Sequence, residues 1–210
     1  MAQDRLIVYV DGFNLYHGMH DRWRCAFLWL DLETLARDLR PRSSLERVKY
    51  FTAPVLDEPD ALSRQSSYIA ALKASSGGLI EVTQGRYQRK TMTCRACGHS
   101  YRRYEEKETD VNIATALVSD ASFGRMDSAL VVSADSDLVP AVKAAKAASP
   151  GLFIAAAFPP KRFSAELKAL MPNSLHIGSN KIKQSQLADS VQLGGKTWTR
   201  PAKWALPNNS

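Results

Sequence analysis

Four aspartates carry the first chemistry this sequence offers. Asp135 and Asp137 end the apolar run ALVVSA in the stretch ALVVSADSDLVPAVKAAKAA (129–148), Asp11 directly follows LIVYV (6–10), and Asp110 opens a helical pattern at 110–121. Carboxylates gathered in one partly buried pocket repel one another, and each resists ionising unless positive charge neutralises it. A hard divalent cation does so: Mg2+ or Mn2+ takes oxygen ligands, keeps several waters and suits a site that handles phosphates. Taken singly, each acid has a plainer use, because Asp11 and Asp137 would cap the helices that follow them and Asp110 would favour a first helical turn. Taken together, at strand ends and on an inward helix face, they point to a metal. Asp137 is the outlying member. In a helix it would not face Asp135, so only loop or strand geometry lets both converge, and it is left a combined role as cap and outer ligand.

Such a pocket needs elements to hold it. Apolar runs of strand length recur at 6–10, 48–53, 79–87, 129–134 and 152–158, with helical patterns at 60–74, 110–121, 137–148 and 163–171. Strands that are apolar throughout, alternating with helices, predict an α/β fold with a mostly parallel sheet covered on both faces. Ligands of open parallel sheets bind beyond the carboxyl ends of the strands, which is where Asp11 and Asp135 fall. Asp110 shares a helix face with Ile113, Ala114 and Leu117, so its carboxylate is expected to point inward.

The 210 residues, 45% of them hydrophobic, suffice for one domain with an insertion. Twenty-eight Lys and Arg against 21 Asp and Glu leave a net charge of +7, which favours polyanionic partners such as nucleic acid. The start MAQDRLIVYV reads as neither a signal peptide nor a membrane span, so the expected location is the cytoplasm, with no membrane partner. Three cysteines without an export signal argue against a disulfide framework.

Residues 84–104, QGRYQRKTMTCRACGHSYRRY, interrupt the rhythm as an inserted loop or hairpin without a single acid. Arg86, Arg89, Lys90, Arg102 and Arg103 can track phosphates there and Tyr101 can stack on an unpaired base; the plainer reading is a solvated basic loop whose tyrosines pack on the sheet. Cys94 and Cys97, with His99 two residues on, form half of a Zn2+ site. Completion would come from Cys25, His17, His20 or His176, or from another subunit, and the alternative is a reduced pair at a turn. Trp23, Phe27 and Trp29 read as a segment packed on the core or as a homodimer patch. Residues 192–210 read as an irregular C-terminal tail.

Three blocks, VYVDGFNLYHG, EEKETDVNIATALVSDA and ALVVSADSDLVPAVKAAK, resemble the signatures of the NYN-domain family, a branch of the PIN-like nuclease superfamily. The similarity runs on through IAAAFPPKRFSAELKAL and LHIGSNKIKQSQLADSV and so covers most of residues 5–191. It implies a PIN-like (Rossmannoid) three-layer sandwich over residues 1–191 and a metal-dependent nuclease, most often one acting on RNA. Carried over by position, the site is Asp11, Asn14, Asp110, Asp135 and Asp137, with Ser133 beside them as a substrate contact. Asp11, Asp110 and Asp135 would hold Mg2+ or Mn2+ directly or through water, Asn14 would position substrate or water, and activated water would attack the phosphodiester in line. Ala134 stands where many relatives have Gly. Lys107, just before the helix-opening acid, would contact phosphate or balance the acids, or else pair with Glu105 or Glu106.

Two other functions compete. A PIN-like adaptor would bind RNA without cutting it, but a pure binder gains nothing from clustered negative charge facing phosphates. A metal-dependent phosphohydrolase of small substrates would use the same acids, but has no need of an extended basic track.

Overall fold

Leu6 to Val10 are buried on both faces, as the central strand of a covered parallel sheet must be. The computed structural model describes residues 4–206, and for residues 102–106 the backbone alone. Its first half runs β1 (Arg5–Asp11), α1 (Gly12–Trp23), α2 (Leu32–Leu39), β2 (Ser44–Thr52), α3 (Pro59–Ser75), β3 (Ile80–Gln84), β4 (Arg86–Thr93) and β5 (Ser100–Lys107). Then come α4 (Thr109–Ser122), β6 (Ser128–Val132), α5 (Val139–Ala148), β7 (Phe153–Phe158), α6 (Ala165–Leu170), β8 (Leu175–His176), α7 (Ser179–Gln184), β9 (Ser190–Leu193) and β10 (Lys196–Thr199). Six strands form one sheet in the order β3-β2-β1-β6-β7-β8, and every neighbouring pair is parallel. The chain winds outward from β1 to β3 in one direction, then restarts at β6 on the other side of β1. The crevice of such a sheet opens at that reversal, between β1 and β6.

Alternate residues of β1 serve two cores. Leu6, Val8 and Val10 pack with α1, α2, α3 and α7 through Leu15, Met19, Leu35, Leu72 and Ile182. Ile7 and Tyr9 face α4, α5 and α6 through Ile113, Leu117, Val142, Ala145 and Leu167. These are the three layers of the expected sandwich. Trp29 is wholly buried, its indole N–H donating to Ala188 O at 2.8 Å, so the aromatic segment around it belongs to the core.

Three stretches differ from expectation. Helix α2 is capped by Asp31, whose carboxylate accepts from Glu33 and Thr34 N–H, and buries Leu32, Leu35, Ala36 and Leu39. The segment 79–87 divides into β3 and the start of β4, because β4 leaves the sheet to pair with β5 as an antiparallel hairpin. The expected irregular tail instead contains the β9–β10 hairpin, turned at Gly194 and Gly195 with φ of 57° and 77°, and continues to the buried Trp204. Trp204 packs against Trp29 and Tyr68, which ties this segment to the first core.

Within the second core, Asp120 is 1% exposed and accepts from Tyr9 Oη at 2.7 Å, Lys49 Nζ at 2.6 Å and Arg125 Nη1 at 3.0 Å. Burial opposes its charge, but these three donors together hold its carboxyl below the usual carboxylate value. Removing one partner of a buried pair strands the others. Asp120→Ala is therefore expected to lower unfolding free energy by about 3 kcal/mol, read as a fall in the urea midpoint at unchanged slope.

Candidate metal centre and its basic hairpin

The site is assembled from helix caps. Asp11 ends β1 and caps α1: its Oδ1 accepts from Asn14 N at 2.9 Å, and its Oδ2 accepts from Ser133 Oγ at 2.9 Å. Ser133 Oγ in turn accepts from Asp135 N at 3.0 Å, and Asn14 Oδ1 accepts from Ala134 N at 3.1 Å. The end of β1 and the loop after β6 are thereby laced together across the switch point. Asp135 caps the 3-10 turn Ser136–Leu138 by accepting from Asp137 N at 2.9 Å. Capping and convergence are thus one arrangement, since the caps fix the carboxylates in place.

Gly12 lets α1 start this close to the sheet. A Cβ at that position would lie 2.6 Å from Phe51 O and 2.9 Å from the Tyr50 ring. Gly12→Ala should displace the α1 start and Asp11 with it, costing about 1–3 kcal/mol, read as a lower melting temperature.

One oxygen from each of Asp11, Asp110 and Asp135 lies within 4.8 Å of the others. Asp11 is 4% exposed, Asp135 is half-buried and Asp110 is exposed. Asp110, exposed in the first turn of α4, thus lines the cleft and does not point into the core. Burial, foremost, pushes the Asp11 carboxyl above its ordinary value; the Asn14 N–H and Ser133 hydroxyl pull it down, and the Asp135 charge raises it again. Three hard oxygen donors, one held against its desolvation and two solvent-facing, fit Mg2+ or Mn2+.

Two expected members take other places. Asp137 is exposed and lies outside this group, since its backbone N–H rather than its carboxylate turns to Asp135. Ser133 is fully buried, its hydroxyl donating to Asp11 Oδ2 and accepting from Asp135 N, so it links the two acid-bearing segments instead of facing the cleft.

The acids line a cleft of about 490 Å³ together with Phe13, Asn14, His17 and Arg162. Arg162 is a cleft residue that the sequence pattern does not mark. Its Nη2 donates to Asp21 Oδ2 at 2.6 Å, which fixes a cation beside the acids. Its signal in the sequence is the basic pair in PPKR, directly beyond the carboxyl end of β7. A second cavity of about 370 Å³ shares Phe13 and His17 with the cleft and is walled by Tyr16, Tyr50, Tyr68 and Trp204.

The β4–β5 hairpin joins the centre at its base. Glu108, at φ 81°, turns the chain from β5 into α4, and its carboxylate forms an ion pair with Arg86. Lys107 lies opposite Arg86 in the hairpin register. Arg86, Arg89, Lys90 and Tyr101 are exposed along the strands, with strand alternation placing Arg86 and Lys90 on one face and Arg89 on the other. The side chains of Arg102 and Arg103 lie outside the described residues. Cys94 and Cys97 sit at the hairpin tip, far along the strands from the acids.

The chain is similar to known proteins in sequence and in fold. A family profile described as NYN domain matches residues 5–176. Over 176 residues the chain is 29% identical to 6-hydroxy-3-succinoylpyridine 3-monooxygenase HspA of Pseudomonas putida (strain DSM 28022 / S16), covering 68% of this chain and 56% of that protein. It therefore spans little more than half of that relative's length. A protein of unknown function from Vibrio parahaemolyticus RIMD 2210633 superposes with a TM-score of 0.59 at 18% identity, covering 85% of this chain and 95% of that one, which shows a common fold. Among the described residues, no helix is long and apolar enough to cross a membrane.

Proposed function

Because this chain belongs to the NYN-domain family, we propose that it is a metal-dependent ribonuclease whose centre is Asp11, Asp110 and Asp135. The observation that carries this reading is the convergence of three carboxylates from separate segments at the switch point of the sheet. Asp11 and Asp135, locked by their caps, and Asp110 at the rim would hold Mg2+ or Mn2+. Bound there, the ion supplies Lewis-acid stabilisation of the charge that develops on a phosphodiester. Arg162 would face a substrate phosphate, and the Asn14 amide N–H groups would position substrate or water. Asp137, at the edge, would act at most on an outer hydration shell.

Strands β4 and β5 would guide RNA toward the cleft, with Arg86, Arg89, Lys90, Lys107, Arg102 and Arg103 along the phosphates and Tyr101 stacked on a base. Because Arg89 and Lys90 lie on opposite faces, replacing both with Ala is expected to weaken RNA binding on whichever face it takes and to flatten its salt dependence by about 0.7 in log–log slope, one phosphate contact for a single strand. Fluorescence anisotropy across a salt series reads this out.

The function is tested with end-labelled single-stranded RNA and DNA of matched sequence, incubated with Mn2+, Mg2+ or chelator. RNA cut only with metal supports the proposal; RNA bound and left intact under all conditions points to an adaptor. A second reading, turnover of a small aromatic compound, is favoured by the aromatic-walled cavity beside the cleft and by the monooxygenase among the relatives. Saturable binding of a carboxylated pyridine with no RNA cleavage would select it.

A further inference from the structure

The hairpin tip has a construction that the ribonuclease reading does not use. Cys94 N donates to His99 O at 2.8 Å and Gly98 N donates to Cys94 O at 2.9 Å, closing a tight turn in which Gly98 takes φ 71°. The backbone N–H groups of Ala96 and Cys97 are directed at Cys94 Sγ, and the Cys97 thiol also lies against it. Both thiols are free, with Cys94 half-buried and Cys97 exposed. A turn that brings two sulfurs together and aims N–H groups at one of them stabilises thiolate, the form that binds metal.

The turn supplies two ligands, and tetrahedral zinc requires four. Among the described residues, the acidic triad is the sole group of three or more metal-ligating side chains, so none of those residues adds a third ligand to Cys94 and Cys97. The residues expected to supply one are engaged elsewhere. Cys25, His17 and His20 line the aromatic cavity, and His176 stacks on Phe163.

We infer that Cys94 and Cys97 are one half of a structural zinc site, and that the same pair from a second copy of this chain completes it as a four-thiolate centre joining two hairpin tips. The surface beside the turn suits a second copy. Met92 and Tyr101, directly opposite in the register, are 39% and 47% exposed, and strand alternation puts Cys94 and His99 on their face. A two-fold axis through the metal presents this patch to itself, as an isologous contact requires. Four thiols release four protons on binding, and the resulting charge of −2 on Zn2+ with four thiolates is offset by Arg95 of each copy, within the turn itself.

The experiment combines metal analysis with light scattering on the full chain. Expected are one zinc per two chains, a dimer that dissociates under a zinc-selective chelator, and a monomeric Cys94→Ser/Cys97→Ser variant with an unchanged far-ultraviolet spectrum. Because zinc can also occupy carboxylates, the same ratio is measured in Asp11→Asn, where the tip zinc and the dimer persist. Titration of the metal-free chain with Co2+ should give tetrahedral thiolate absorption saturating at one Co2+ per two chains. One zinc per chain, a zinc content unaltered by the serine substitutions, or a dimer indifferent to the chelator overturns the inference.

Discussion

Asp135→Asn is expected to slow RNA cleavage about a thousandfold while leaving RNA bound at least as tightly. The substitution keeps the side-chain oxygen that accepts from Asp137 N, so the 3-10 turn and the Ser133 contact survive. What it removes is one of the three carboxylates that could hold the metal. Metal stabilisation of transition-state charge contributes several kcal/mol, and about 4 kcal/mol corresponds to three powers of ten in rate. Binding should not weaken, because the lost carboxylate repels phosphate. Single-turnover rates and anisotropy measured on the same preparation separate the two effects. Loss of both together would mean a folding defect, and loss of neither would remove Asp135 from the chemistry.

Asp11→Asn should produce effects of opposite sign, depending on metal. The folded chain holds the Asp11 carboxyl above its ordinary value, chiefly by burial. A raised carboxyl favours the folded state at pH below its unfolded value, and that contribution is lost as pH rises through the folded value. At neutral pH the metal-free protein therefore carries a buried charge that the amide variant lacks. In chelator, the variant should melt above wild type, and its stability should fall less as pH rises from about 4. With Mn2+ the order reverses. At a hundred times its Kd the ion adds about 2.7 kcal/mol to a folded protein that binds it, roughly 5–10 °C for a chain of this size. Wild type gains this increment, increasingly as pH rises and the carboxylate forms, and the variant does not.

Much of this site could be read before any coordinates, for physical reasons. Buried parallel strands must be apolar on both faces, so LIVYV and ALVVSA stand out, and an acid directly beyond such a run lies at the ligand-binding edge whatever the loop does. That logic puts Asp11 and Asp135 at the cleft, where the structure has them. It fails where tertiary contacts decide. Asp137 is two residues from Asp135, yet the 3-10 turn sends its carboxylate to solvent. Ser133 reads as a pocket hydroxyl, but its burial is set by packing across β1 and β6. Arg162 comes from a loop after β7 and is held by Asp21 of α1, a pairing separated by 141 residues that no local pattern encodes.

Two elements escape the sequence reading although their local signals exist. Asp31 followed by LETLARDL is a helix cap and an amphipathic stripe, but the neighbouring tryptophans point to packing instead. Gly194-Gly195 between SVQL and KTWT is a two-residue hairpin turn, overshadowed by the polar, proline-containing sequence beyond it. The hairpin at 84–107 is legible in outline; what strand alternation adds is that its cations divide between two faces.

The most direct test of the metal centre is the single-turnover rate of RNA cleavage as Mn2+ is raised from zero, compared between wild type and Asp110→Asn. Asp110 is the exposed member of the three acids, so its substitution is the least disruptive to the fold. A carboxylate-bound metal predicts no cleavage without the ion, a saturable rise in wild type, and a midpoint displaced at least about tenfold to higher Mn2+ in the variant, the scale of about 1.4 kcal/mol of lost affinity. A rate that ignores Mn2+, or two superimposable curves, would contradict it.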